Sequence, residues 1–297
     1  MGGKFVDLSQ GADMKLVAFS HRGIPGVGVL DPLGIRGRLA SDSYYPGDLD
    51  SMVRDGSVDW SSTALFADGQ TFALDEVQFE PPFKRSEKII CVGLNYRDHT
   101  AETDYAQPDY PTLFTRFTSS LVAHEAPIIR PRVSHALDFE GELVAVIGRG
   151  GRHISREHAL EHVVGYSIFN DASIRDYQHK TPQWTVGKNF DGTGAFGPVF
   201  VTANELPPGA RGLRLQTRLN GEIVQKSNTE NLIFDVATLV STISEVMTLC
   251  SGDLIVTGTP AGIGHSRTPK LYMKPGDTVE VEIQGIGTLR NVIVDEE

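Results

Sequence analysis

Glu140 and Glu142 flank a single glycine inside an otherwise apolar run, and Asp171 closes a second apolar run. Side chains of a β-strand alternate between faces, so Glu140, Glu142, Val144 and Val146 share one face and Phe139, Leu143, Ala145 and Ile147 the other. A Glu-x-Glu pair on a solvated strand carries no chemistry by itself. On a face that continues into valines, two like charges are costly unless a cation lies between them. Hard divalent cations such as Mg2+ or Mn2+ suit carboxylate oxygens and keep positions for water or substrate, and Asp171 supplies the third ligand.

Other residues gain meaning beside that trio. His99 and Glu102 stand at i and i+3 of a polar, helix-compatible stretch, where the carboxylate can orient the imidazole as a general base. Alone, such a pair is a surface contact. Lys188 lies between Gly187 and a glycine-rich segment. By itself it reads as a solvated loop lysine, and next to a metal it could serve a carboxylate or an enolate. The run Gly-Thr-Pro-Ala-Gly-Ile-Gly from Gly258 can offer backbone amides and the Thr259 hydroxyl to an anion, although it lacks the lysine spacing of a P-loop. The remaining histidines form no zinc pattern, and no Gly-x-Ser-x-Gly elbow is present, which disfavours serine hydrolysis.

These side chains need strands to hold them. Strands are expected over 88–93, 137–148, 163–170 and 253–258, with an alternating strand over 278–283. A short helix follows 93, Ser155 caps another running to about 162, and apolar spacing of three and four predicts a helix over 232–249 closed by Gly252. Residues up to 80 mix short β-like runs with Gly/Pro turns, and Glu80-Pro-Pro-Phe reads as a linker. The expected division is a small N-terminal domain, 1–82, and a catalytic domain, 83–297.

The chain has 297 residues, 27 basic against 38 acidic, and a formal charge of −11. It offers no basic stripe for nucleic acid, and a site for a small anion must carry local positive charge from a metal, lysine or arginine. No run is apolar enough to span a bilayer, and Cys91 and Cys250 sit in apolar stretches that suit reduced, buried thiols. A soluble cytoplasmic enzyme is expected, with Met14 a candidate true start behind a short extension.

Five segments then fall in one order: Gly93-Leu-Asn-Tyr-Arg-Asp-His-Thr-Ala-Glu102, Asp138-Phe-Glu-Gly-Glu-Leu, Asn170-Asp-Ala-Ser-Ile-Arg-Asp-Tyr-Gln178, Gly187-Lys-Asn-Phe-Asp and Thr257-Gly-Thr-Pro-Ala-Gly-Ile-Gly264. Over residues 85–297 the chain resembles the fumarylacetoacetate hydrolase family, in its shorter acylpyruvate-hydrolase-like branch. The resemblance implies a mixed α+β, β-rich fold, a mixed β-sandwich roll, usually assembled as a homodimer. It implies Mg2+ or Mn2+ (with Ca2+ possible) on Glu140, Glu142 and Asp171, a water-activating dyad of His99 and Glu102, and an enolate-stabilising Lys188. Gln178 and Thr259 match substrate-contacting positions, and Arg116 occupies a slot where similar members commonly place lysine. Gly141 stands where valine is often found, which should alter packing and not ligation. The implied reaction is hydrolysis of a C–C bond in a fumarylpyruvate-like 2,4-dioxo acid through a metal-stabilised pyruvate enolate. Oxaloacetate decarboxylation, hydroxymuconate-type isomerisation and 3-deoxy-2-oxo sugar acid dehydration share that enolate, and a non-catalytic metabolite binder is the rival from another class.

Overall fold

A computed structural model describes residues 14–56, 63–98 and 109–297. Short strands punctuated by Gly/Pro turns dominate. The N-terminal group is β1 (Lys15–His21), β2 (Ile24–Asp31), β3 (Gly34–Leu39), β4 (Gln70–Phe72) and β5 (Gln78–Phe79), with helix α1 (Leu49–Asp55) between β3 and β4. Then come β6 (Ile89–Gly93), β7 (Thr112–Arg116), β8 (Leu121–Val122), β9 (Ile128–Arg130), β10 (Leu137–Asp138) and β11 (Gly141–Ile147). The next group is β12 (Val163–Asp171), β13 (Ser173–Ile174), helices α2 (Arg175–Gln178) and α3 (Thr185–Lys188), and β14 (Gly194–Thr202). The chain closes with β15 (Arg214–Leu219), β16 (Glu222–Asn228), α4 (Val236–Val246), β17 (Leu254–Val256), β18 (Thr278–Ile283) and β19 (Gly287–Asp295).

Twelve of these strands form one mixed sheet, ten along the path β4-β3-β2-β1-β14-β12-β11-β17-β6-β7 with β5 added on β1 and β8 on β14, and five form a second, β16-β15-β18-β19-β9. The fold is the mixed β-sandwich that was expected. The first group of strands ends close to the expected boundary at 82, and the large sheet continues across it through the β1–β14 pairing.

Central strands buried on both faces should be apolar on both, and β11 shows the two sides separately. Leu143, Ala145 and Ile147 point into a core shared with Leu215, Val281, Leu289 and helix α4. Val144 and Val146 point the other way, to a core with Cys91, Phe169, Val256 and α1 residues Met52 and Val53. Glu142 belongs to this second face by alternation, and Glu140 immediately precedes the strand. Gly141 belongs to the first, where a Cβ would lie 2.4 Å from Thr217 Oγ1 and 2.9 Å from Val281 Cγ1. The smaller sheet therefore closes onto β11 only because residue 141 lacks a side chain.

Three expected elements are shorter. The strand predicted over 137–148 breaks at Phe139–Glu140, because β10 leaves the large sheet to pair with β13. The helix predicted over 232–249 begins at Val236, where the Asp235 carboxylate accepts from Thr238 N; Ile233 and Phe234 are held instead by Asn95. The helix expected from Ser155 is only a 3-10 turn at Ala159–His162. Cys91 is buried as expected, whereas Cys250 is half-buried near the Lys88 ammonium.

Replacing Gly141 by valine should lower stability by about 1–3 kcal/mol, the usual range for overpacking a filled core. Urea unfolding monitored by fluorescence measures this, and a wild-type midpoint would refute the packing role.

Candidate active site

The antiparallel pairing of β11 with β12 sets Gly141 opposite Asn170, which brings the ends of the two strands and their carboxylates together. The Asn170 side chain accepts from Glu140 N, and Asp171 N donates to Glu140 O, so the backbone bend after β10 is pinned. Carboxylate oxygens of Glu140, Glu142 and Asp171 all lie within 4.8 Å of one another, and all three residues are buried.

Three cations converge on them. Lys188 Nζ stands 2.6 Å from Glu140 Oε2 and 2.6 Å from Asp171 Oδ2, and is 2% exposed. It is therefore no solvated loop lysine: it ends α3, and α3 reaches this depth because a Cβ on Gly187 would come within 2.4 Å of the Gln178 backbone. Burial disfavours the ammonium, yet Asp171 and Glu140 together hold its pKa above the ordinary value. Arg175 donates through Nε to Asp138 Oδ2 at 2.8 Å and through Nη1 to Gln178 Oε1, while Nη2 lies 2.6 Å from Glu140 Oε1. Arg116 takes the far side of Asp171, donating to Oδ1 at 2.5 Å, to the Ala172 carbonyl, and to the hydroxyls of Ser120 and Thr193. Its guanidinium also lies over the Phe169 ring.

Glu142 is treated differently. Its Oε2 accepts from Gly258 N at 2.5 Å, and no cation pairs with it among the described residues. Burial first, then Asp171 and Glu140, pushes its pKa well above the carboxylate range. With every group ionised, Asp138, Glu140, Glu142 and Asp171 outnumber Arg116, Arg175 and Lys188 by four to three. An all-oxygen donor set with one uncompensated buried carboxylate suits a hard divalent cation, so the residues present fit the expected metal.

Thr259 donates to the Gly141 carbonyl and accepts from Gln225 Nε2, beside the glutamates. Gln178 is reached through Arg175. Arg116, expected at the substrate, has its guanidinium committed to Asp171 and neighbouring oxygens. His99 and Glu102 lie outside the described residues. Asp138, Asn170, Arg175 and Gln225 were given no role in the sequence reading. Asp138 had a signal, since it is a charged residue between Leu137 and Phe139, two positions before Glu140; Arg175, followed by Asp176 in a polar segment, had none of its own. Asp138 also accepts from Gly264 N and His265 N, tying the glycine-rich turn to the cluster.

Residues 88–294 match the model of the fumarylacetoacetate (FAA) hydrolase C-terminal domain. The chain belongs to the fumarylacetoacetate hydrolase family. Among relatives, it is 36% identical over 290 residues to the mitochondrial oxaloacetate tautomerase of Rattus norvegicus, covering 95% of this chain and 92% of the other. It is 40% identical over 227 residues to the oxaloacetate tautomerase YisK of Bacillus subtilis, covering 75% of each. Among solved structures, a fumarylacetoacetate hydrolase from psychrophilic Exiguobacterium antarcticum superposes with a TM-score of 0.84 at 37% identity, covering 96% of this chain and 100% of that one.

Removing the Arg116 fork by substitution with methionine leaves Asp171 Oδ1 without its cation in the interior while Lys188 keeps Oδ2, and breaking such a buried pair should cost about 3–5 kcal/mol. Lysine at 116 should recover only part of this, because an ammonium cannot span the same acceptors. Chemical denaturation of the three proteins measures both values.

A second prediction concerns acid. Burial, then Lys270, Arg175 and His179, lowers the His265 pKa from 6.5 to about 4. The unfolded chain then binds a proton that the folded protein refuses, so this contribution is intact above pH 6.5 and is lost as pH falls toward 4. Replacing His265 by phenylalanine should flatten the decline of melting temperature in that window, and an unchanged acid limb would exclude the group.

Proposed function

We propose that the protein is a divalent-metal-dependent enzyme that interconverts the keto and enol forms of a small 2-oxo diacid of the oxaloacetate kind. The observation that carries this reading is the buried Lys188 ammonium set between Glu140 and Asp171, a fixed positive charge beside the place where an enolate oxygen would develop. Relatives named as oxaloacetate tautomerases along most of the chain support it.

Mg2+ or Mn2+ held by Glu140, Glu142 and Asp171 would supply Lewis-acid polarisation of the 2-oxo group. The chain's own residues do the rest. Lys188 stays charged and offsets the negative charge that moves onto the 2-oxygen when a proton leaves C3. Returning a proton to that oxygen gives the enol, with no net change of atoms. His99, oriented by Glu102, is the proposed group that moves the proton. Gln178 and Thr259 are proposed to hold the substrate's oxygens, and Arg175 fixes Gln178 and Glu140 from behind.

A second reading keeps the C–C hydrolysis of an acylpyruvate. It uses the same enolate and differs in having His99 and Glu102 activate a water, the role that the family resemblance implies for this pair. One assay panel separates them. With Mg2+, purified protein should speed keto–enol exchange of oxaloacetate, followed by the ultraviolet absorbance of the enol. Glu142→Gln and Lys188→Met should each lower kcat/KM by about a hundredfold, the scale of losing one electrostatic stabiliser. Cleavage of acylpyruvates with oxaloacetate exchange at background would favour hydrolysis, and binding without turnover of either would overturn both.

A further inference from the structure

Tyr96 follows Asn95, the residue that joins the end of β6 to the two segments around it. Asn95 Nδ2 donates to the carbonyls of Thr257 and Phe234, and its Oδ1 accepts from Phe234 N. Asn95 also packs against Gly258, whose amide holds Glu142. This network fixes the backbone at Tyr96, which bridges to Leu232. The ring is fully buried at 0% exposure, yet its hydroxyl has no hydrogen-bond partner among the described residues. The carboxylates whose fields act on it are Glu142 and Asp98. Asp98 accepts from the Ser227 hydroxyl through Oδ2, while its buried Oδ1 has no partner either.

A buried polar atom without a partner is uncommon, because the fold bears the cost of drying it and gains no bond in return. Phenylalanine would fill the same space without that cost. A tyrosine here is therefore a local loss to the fold that a ligand can redeem. We infer that Tyr96 is a ligand-binding residue, its hydroxyl donating a hydrogen bond to an anionic oxygen of the substrate seated against Glu142. The inference rests on the proposed 2-oxo acid site and adds a donor to it near Glu142, the carboxylate that no cation pairs among the described residues. The chemical class of the ligand group is a carboxylate or enolate oxygen, which accepts and does not donate.

The variant Tyr96→Phe tests this with two measurements. Thermal unfolding of metal-free protein should give a melting temperature equal to or above that of the wild type, since no native hydrogen bond is removed. Calorimetric titration of the Mg2+-loaded protein with oxalate, a planar dianion resembling the paired oxygens of a 2-oxo acid enolate, should show affinity about tenfold weaker, the scale of one hydrogen bond to a charged group. A clear drop in melting temperature would mean that the hydroxyl serves the fold by bonding Glu142 or Asp98, and would overturn the inference. Wild-type oxalate affinity in the variant would overturn it as well, leaving the enolate site standing. Failure of the wild type itself to bind oxalate with Mg2+ would instead overturn the underlying functional reading.

Discussion

Buried like charge is the condition to which the rest of this structure answers. Glu140, Glu142 and Asp171 lie within 4.8 Å of one another in the interior, with Asp138 joined to them through Arg175. Desolvating one carboxylate is costly, and grouping several compounds the cost through mutual repulsion. The surrounding architecture can be understood as the delivery of countercharge and donors to that point. Arg116 arrives at the end of β7, Arg175 at the start of α2, Lys188 at the end of α3, and Gly258 N from the segment after β17.

The delivery explains features that are otherwise odd. Helices α2 and α3 are four residues each, too short to be stable alone, and their function is to carry Arg175 and Lys188 inward. Gly187 allows the second to press against the first. The break between β10 and β11 turns Glu140 out of the ladder, and the Asn170 side chain replaces the lost strand partner for its amide. On the other face Gly141 lets the smaller sheet approach, so one three-residue segment serves the charged cluster and the sandwich core at once.

Much of this was legible in the sequence where one side chain's environment follows from its own neighbours. Alternation over the expected strand 137–148 set both glutamates with the valines, and the apolar run ending at Asp171 located the third carboxylate. What could not be read were relations across the chain. Arg116 is separated from Asp171 by many residues and several strands, so nothing local distinguishes a guanidinium that clamps a ligand from one that meets substrate. Lys188 looks solvated in its own segment, and only α3 packing on α2 buries it. The helix over 232–249 lost its first turn because Asn95, distant in sequence, holds Ile233 and Phe234, and Asp235 caps what remains. Keto–enol exchange, now proposed, was not among the reactions that the motifs suggested, since motifs point to a charged cluster and leave its reaction open.

That distinction bears on how one fold serves several reactions. The four-to-three excess of carboxylates over cations becomes a net positive charge of one when a divalent ion binds, so the loaded site attracts an anion although the whole chain carries −11. Those charges come from strand ends and from the buried residues of two short helices, and have little freedom to vary. In the proposed reaction the outcome depends instead on which group returns a proton and to which atom, and whether water is admitted. Among the described residues, the turns after Gln178 and Gly264 adjoin the cluster, tied to it through Arg175 and Asp138. On the proposed reading, a change there would redirect the reaction and leave the buried charge balance intact.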